Sequence, residues 1–330
     1  MVERVLVTGG GGFIGSHLAV QQLELGREVS VIDTSLARLA SLGDVKGLRR
    51  FEGDIRDSAL LERALPGTDV VFHLASAHLE VTQDADYFQS INVAATRDLA
   101  RIAGSAGVRR FVHCSSVGVY GPLLRVPADE DTPCRPDIAY EVSKLQGERE
   151  VLAVAADNGL STVVLRPAWV YGPGCPRTEK LFRALRKRRF VMVGKGRNLR
   201  HPVYISDMLQ AFELAASREG IEGQVFIIAS AEYVTLEKLV AAILEVEHSG
   251  YRPLRVPLPV MWPVCFAMES LAKLLGREPP FSRRSLKFFT EDSAFSIARA
   301  VDKLGYSPGV DLPAGLEMTR TALFGPVRGQ

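Results

Sequence analysis

A tyrosine and a lysine four residues apart, Tyr140 and Lys144 in "AYEVSKLQ" (139–146), are the pair with the most direct chemistry in this chain. In a helix, residues i and i+4 share a face. A phenol with a pKa of about 10 in water is a poor base near neutrality. An ammonium one turn away favours the phenolate and brings the phenol toward the working range. Such a pair can move a proton on or off a substrate oxygen. An ordinary amphipathic helix can carry the same two residues, so the rest of the chain has to supply what proton transfer would be coupled to.

The N-terminus supplies a coupling partner. "TGGGGFIG" (8–15) follows an apolar, β-branched run and opens a helical pattern. Glycines 9, 12 and 15 suit a turn that needs positive φ and lets a diphosphate approach the backbone. The helix behind them, beginning at Phe13 and Ile14, would aim free N–H groups and its positive end at that diphosphate. Strand, glycine turn and helix in this order predict dinucleotide binding. Asp33 ends the second strand, where a carboxylate can accept from both adenosine ribose hydroxyls and repel a 2′-phosphate. A helix N-cap is the alternative role for an aspartate there. NAD is therefore expected over NADP, with Arg38 the nearby cation that argues the other way. Hydride transfer at a nicotinamide must be matched by a proton moving at the substrate oxygen, which is the work the Tyr140–Lys144 pair can do.

The elements that would position these groups alternate. "RVLVTG" (4–9), "EVSVID" (28–33), "LRRFEGD" (48–54), "DVVFHLAS" (69–76), "RRFVHCSS" (109–116) and "STVVLRP" (161–167) read as strands with helical patterns between them. Near-continuous apolar strands separated by helices predict a parallel sheet covered on both faces, hence a doubly wound α/β (Rossmann) fold. "HPVYI" (201–205) and "QVFIIAS" (224–230) read as strands that return to the sheet or pair in a smaller lobe. The expected division is residues 1–168 with 198–230 for the cofactor, and 169–197 with 231–330 for a mostly helical substrate lobe.

With 330 residues and a formal charge of +2, no global field recruits nucleic acid, and the basic run "RALRKRR" (183–189) reads as a solvated helix face. Cys114, Cys134, Cys175 and Cys265 form no CxxC pair, which favours a reducing, cytoplasmic setting over a disulfide framework or structural zinc. His73, His78 and His113 show no metal-ligand spacing. The N-terminus runs straight into a strand without a signal peptide. "VPLPVMWPVCFAMESLAKLLG" (256–276) is too short and too broken by proline to span a bilayer. It reads as a buried helix of the substrate lobe; the alternative is a greasy lip that touches membrane or admits a lipid-like substrate.

Taken together, these motifs resemble the extended short-chain dehydrogenase/reductases, almost end to end. The resemblance rests on the glycine spacing, "GDIRD" (53–57), "HLAS" (73–76), "SSVGVYG" (115–121), "YEVSK" (140–144) and "LRPAWVYGPG" (165–174). It implies that Asp54 and Ile55 lie beside the adenine and that Leu74, Ala75 and Ser76 line the cofactor with their backbone. Asn92, Ser115 and Pro167 join that cofactor set. It also implies that Ser116, not Ser115, anchors the substrate oxygen, that Tyr140 is the acid/base, and that Lys144 both tunes it and reaches the nicotinamide ribose. For Asn92 a structural helix role is the alternative. A homodimer through the helices holding Asn92 and Tyr140 is the usual arrangement of the family.

The substrate is a small molecule that the resemblance leaves in two branches. Dehydratases carry an Asp-Glu pair after the catalytic hydroxyl, and Val117 and Gly118 stand there instead. Arg200, in "GKGRNLRHPVYISD" (194–207), occupies the position where epimerases hold a nucleotide diphosphate, but "HPV" departs from their pattern. The branch of 3β-hydroxysteroid and sterol-4α-carboxylate dehydrogenases shows a Pro- and Trp-containing apolar helix like "LPVMWPVCFAMESLAKLLG". The expectation is an NAD-dependent oxidoreductase of a hydrophobic secondary alcohol or ketone, with Tyr171, Arg200 and His78 as candidate substrate residues. A nucleotide-sugar epimerase is the runner-up, and a non-catalytic NAD-binding scaffold is a third reading.

Overall fold

The structure is a computed structural model that describes residues 3–77, 84–274 and 283–326. The first half runs β1 (Arg4–Thr8), α1 (Phe13–Glu24), β2 (Glu28–Asp33), β3 (Leu48–Glu52), α2 (Ser58–Ala64), β4 (Val70–His73), α3 (Ala85–Gln89), α4 (Thr96–Ser105), β5 (Arg110–Cys114), α5 (Ala139–Asn158) and β6 (Thr162–Pro167). The second half holds β7 (Trp169–Tyr171), α6 (Pro176–Arg186), β8 (Val191–Val193), β9 (Leu199–Arg200), β10 (Pro202–Tyr204), α7 (Ile205–Ser217) and β11 (Val225–Ile228). It ends with β12 (Val234–Thr235), α8 (Leu236–Val246), β13 (Leu254–Val256), α9 (Leu258–Leu274), α10 (Arg283–Thr290) and α11 (Leu312–Phe324).

Seven strands form one sheet in the order β11-β6-β5-β4-β1-β2-β3, and every pair in it is parallel. The apolar runs explain why. Val5 and Val7 of β1 face one core and Leu6 the other, and Val70, Phe72 and Val71 of β4 repeat the division. Helices α1 and α7 cover the first face through Leu18, Ala19, Met208 and Phe212. Helices α2, α4 and α5 cover the second through Leu61, Leu99 and Val151. The chain leaves β1 toward β2 and β3, then returns across β1 to build β4, β5 and β6 on the other side. The crevice between the C-terminal ends of β1 and β4 is therefore the switch point, where open α/β sheets bind ligands.

Two expectations come out differently, and a third resolves between its two alternatives. The long helix expected over "DYFQSINVAATRDLARIAGSAG" is interrupted by a π-helical stretch, Ser90–Ala95, between α3 and α4. The two late strands part company: β11 completes the main sheet beside β6, while β10 pairs with β7 in a two-stranded ribbon of its own. The segment expected as a buried helix is a helix, α9, but Trp262 is 53% exposed and Phe266 51%. No described helix is long and apolar enough to cross a membrane.

Candidate functional site

The turn after β1 is built by two glycines. Gly9 has φ +73°, and a Cβ on it would meet the Ala75 nitrogen at 2.6 Å and the Leu74 carbonyl carbon at 2.7 Å. A Cβ on Gly15 would collide with the Gly9 carbonyl oxygen and sit 2.8 Å from the Gly10 Cα. The turn, the start of α1 and the 74–75 segment are thus in backbone contact, a packing that no larger residue permits. Helix α1 begins at Phe13 with Gly12 as its N-cap, and no side chain caps it. Its first-turn N–H groups, those of Phe13, Ile14 and Gly15, have no carbonyl of their own helix to donate to, as at any helix start, and such a terminus suits an anion.

Asp33 lies at the end of β2, next to this turn. Its Oδ2 accepts from Gly11 N–H at 2.9 Å and its Oδ1 from Ser35 N–H at 3.0 Å. The Thr34 hydroxyl also reaches Oδ1, at 3.5 Å; these bonds fix the carboxylate and leave a lone pair on Oδ2 for a ribose hydroxyl. The Arg38 guanidinium follows on an exposed turn and reaches Gly174, 3.2 Å from where a Cβ would stand. Asp54 takes both prongs of the Arg56 guanidinium, Nε to Oδ1 at 3.0 Å and Nη2 to Oδ2 at 2.6 Å, and that bonding holds its carboxyl below the usual range. Ile55 beside it is buried. Leu74 N–H donates to Thr8 O (3.0 Å), which extends the β1–β4 register into the segment of Leu74, Ala75 and Ser76.

Across the sheet, β5 and α5 bring the proton-transfer candidates together. Lys144 is buried, and its Nζ donates to the Cys114 carbonyl at 2.7 Å, leaving two N–H hydrogens for other partners. Burial pulls its pKa below the ordinary lysine value, against the Cys114 and Glu148 groups, which favour the charge. Tyr140 stands one turn earlier on α5, about 6 Å along the axis, half-buried with its ring edge-on to Phe88 at 6.3 Å. Ser116 caps the short turn Val117–Tyr120, its Oγ accepting from Gly118 N–H at 3.1 Å, so its own hydroxyl proton remains to donate. The Ser115 hydroxyl is buried with no partner among the described residues, and Ser115 N–H donates to Leu165 O at 2.7 Å. Pro167 closes β6 in register with Ile228.

Helix α5 is held in place by groups of two kinds. Glu148, one turn beyond Lys144, forms a buried ion pair with Arg166 of β6, with Nε to Oε2 at 3.0 Å. Arg166 also donates to Tyr120 Oη at 2.7 Å. Asn92, in the π-helical stretch, fills all four of its hydrogen bonds. Its Oδ1 accepts from Ala77 N–H (2.8 Å) and Ser76 Oγ (3.0 Å), and its Nδ2 donates to Ala77 O (3.2 Å) and Ser143 Oγ (2.9 Å). Ser143 Oγ in turn donates to Tyr140 O at 2.7 Å. Asn92 is therefore a brace between the 76–77 segment and α5, the structural role that the sequence left as its alternative.

The substrate candidates fare less evenly. Tyr171 is 3% exposed; its ring meets Tyr204 at 5.4 Å and its Oη sits against Gly315 of α11, so it is core and not a substrate contact. The cause is the β7–β10 ribbon, which puts Tyr171 opposite Tyr204 under the last helix. Arg200 is buried with its Nη2 bonded to the Phe288 and Lys287 carbonyls and its guanidinium 4.7 Å from the Phe288 ring centroid. Burial, with Arg177 beside it, pulls it down to about 10. His78 lies outside the described residues. Two residues that sequence reasoning misses are Trp169 and Arg177. Trp169 follows Pro167 by two residues, its Nε1 buried without a partner among the described residues, and Arg177 lies 5.2 Å above its ring. The "HPV" departure also has a purpose: neutral His201 donates from Nε2 to Ser230 O (2.9 Å) and accepts Phe295 N–H at Nδ1 (3.2 Å), tying the lobe to the end of β11.

A glycine turn feeding an uncapped helix, an acid at the end of β2 and a Tyr–Lys helix across one switch point define an enzyme that works with a nicotinamide dinucleotide. The chain belongs to the NAD dependent epimerase/dehydratase family, whose pattern matches residues 5–229. It is 31% identical over 322 residues to the 3 beta-hydroxysteroid dehydrogenase/Delta 5-->4-isomerase of Mycobacterium tuberculosis, covering 92% of this chain and 86% of that one. It is 28% identical over 333 residues to the UDP-glucose 4-epimerase of Vibrio cholerae, covering 98% and 96%. Among solved structures, MoeE5 in complex with UDP-glucuronic acid and NAD superposes with a TM-score of 0.77 at 31% identity, covering 97% of this chain and 98% of that one. The cofactor is NAD, and the extended short-chain dehydrogenase/reductase resemblance holds.

Proposed function

We propose that this enzyme interconverts a secondary alcohol and a ketone on a hydrophobic substrate of steroid or long-chain β-hydroxy acid type. NAD, when bound, supplies the hydride acceptor or donor. Tyr140 moves the proton on and off the substrate oxygen, Ser116 donates a hydrogen bond to that oxygen, and Lys144 stabilises the phenolate. The first-turn N–H groups at Phe13, Ile14 and Gly15 hold the diphosphate, and Asp33 holds the adenosine ribose. Residues 1–168 with 198–230 form the cofactor part in this reading, and 169–197 with 231–330 the substrate part. The free state of Cys114, Cys134, Cys175 and Cys265 suits a cytoplasmic setting. A homodimer through the helical segments holding Asn92 and Tyr140 completes the proposal, and sedimentation tests it.

The observation that carries the substrate class is Arg200. The residue standing where an epimerase would bind a diphosphate is turned to α10 carbonyls and stacked on Phe288, so its charge serves the lobe. Beside it Trp169 and Phe288 pack edge to face, with ring centroids 6.1 Å apart. Aromatic surroundings of this kind suit an apolar ligand better than a diphosphate. One observation favours the runner-up: neither Arg177 nor Arg200 has a carboxylate ion partner among the described residues. Two such cations would suit a nucleotide diphosphate.

The two readings separate in one assay. A dehydrogenase produces NADH with sterols or β-hydroxy acids; an epimerase carries NAD through purification and converts nucleotide sugars without net NADH. Tyr140→Phe is expected to bind NAD as before and to lose turnover by about two to four orders of magnitude. Undiminished turnover in that variant overturns the assignment of Tyr140.

A further inference from the structure

Helix α9 turns its apolar side outward. Met261, Cys265, Met268 and Ala272, spaced four, three and four residues apart, make its inward stripe, with Cys265 fully buried. The rest of its circumference carries Trp262 and Phe266 on one flank and Val260 and Val264 on the other, all 43–53% exposed, with Pro263 and Ala267 exposed between them. From Val256 to Met268 no side chain is charged. Outward helix faces in water are normally polar, and an exposed apolar patch of this kind marks an interaction surface. Trp262 and Phe266 lie parallel, with ring centroids 6.3 Å apart, and present one broad aromatic surface.

The charges around the start of α9 indicate what covers it. Strand β13, which leads into the helix, pairs with β8, and Gly194 N–H donates to Val256 O at 2.9 Å. Arg255 donates from Nη1 to Lys195 O at 3.2 Å, which puts Lys195 and Arg197 at the beginning of α9. At the other end of the strand pair Tyr251 Oη donates to Phe190 O (2.8 Å), bringing Lys187, Arg188 and Arg189 next to Arg252. All six of these cations are exposed, and none has an acidic ion partner among the described residues. A second copy docking through the same face would set these cations against their own equivalents. Anionic headgroups would meet them with opposite charge.

We propose that α9 lies in the interface plane of a membrane containing anionic lipid, with Val260, Trp262, Val264 and Phe266 among the upper acyl chains and the cations at the headgroups. This is an attachment to one leaflet, and it holds whichever substrate the site takes. The test is flotation of the whole chain with phosphatidylcholine vesicles, with and without phosphatidylglycerol. Binding is expected to be about tenfold stronger with phosphatidylglycerol and to fall at high salt. Trp262→Ser combined with Phe266→Ser should abolish co-flotation while melting and NAD binding stay as in the parent. Lys187→Gln, Arg188→Gln and Arg189→Gln together should weaken it without touching the apolar face. Three results overturn the proposal: no co-flotation with the anionic vesicles, unchanged co-flotation of the Trp262/Phe266 variant, or a dimer in solution that this variant converts to monomer.

Discussion

Replacing Glu148 with leucine isolates the pillar that supports the Tyr140–Lys144 helix. The side chains of Glu148 and Arg166 are only 4% and 6% exposed, so the substitution leaves a guanidinium buried with Tyr120 Oη as its remaining side-chain partner. Removing one member of a buried ion pair costs about 3–5 kcal/mol, because the other charge stays desolvated. The unfolding entropy of a chain of 330 residues, at about 2.1 cal/mol/K per residue, is roughly 0.7 kcal/mol/K, so the melting temperature should fall by about 4–7 °C. Differential scanning calorimetry with saturating NAD and without it reads this directly. The double variant Glu148→Leu/Arg166→Met removes the stranded charge and should recover most of the loss. A single variant that melts within a degree or so of the parent would refute the reasoning, as would a double variant no better than the single.

Three further outcomes follow from the same geometry. Gly15→Ala puts a Cβ into the Gly9 carbonyl oxygen, so the start of α1 must shift and the dissociation constant for NAD should rise about tenfold or more, measurable by fluorescence titration. Asn92→Ala strips the Ala77 N–H of its side-chain partner and leaves the Ala77 C=O only the Ser76 hydroxyl; the cost should be about 1–3 kcal/mol in urea unfolding, with a lower kcat from a loosened α5. Burial holds His73 down to about 3 against 6.5 in the unfolded chain, and His113 shifts the same way. The unfolded state therefore takes up protons first as pH falls below 6.5, and stability declines from there toward pH 3. At pH 5 the loss for His73 is about 2 kcal/mol. His113→Leu should flatten the slope of stability against pH in that window, and an unchanged slope would rule out the neutral, buried imidazole.

What can be read in the sequence is what local pattern encodes. The strands of the sheet are apolar on both faces, so "RVLVTG", "DVVFHLAS" and "STVVLRP" announce a covered parallel sheet without any partner being known. The glycine turn is equally local, since Gly9 and Gly15 answer to backbone a few residues away and to the 74–75 segment that any such fold brings near. Tyr171 misleads because its environment is made by β10 and α11, more than thirty and one hundred and forty residues downstream. Arg200 invites a reading by analogy of position, whereas its bonds go to α10 carbonyls that no nearby residue foretells. Asn92 stands at the expected position but acts as a brace, because the π-helical stretch turns its amide toward Ala77 and Ser143.

Helix α5 and the lobe around Trp169 are tied to the fold in different ways, and this bears on which part can change. Helix α5 is fixed by Lys144 to the Cys114 carbonyl, by Glu148 to Arg166, and by Ser143 to Asn92, all within the sheet and its covering helices. Those ties use buried, charged or fully bonded groups, where a substitution costs kilocalories. The lobe around Trp169, Arg177, Arg200 and Phe288 rests on aromatic and cation–π contacts between segments far apart in the chain. Contacts of that kind are worth about 0.5–2 kcal/mol each and tolerate exchange. A lobe of this type can be rebuilt for a new ligand while Tyr140 keeps its place, which is how a steroid dehydrogenase and a nucleotide-sugar epimerase can both align with this one chain along nearly its whole length.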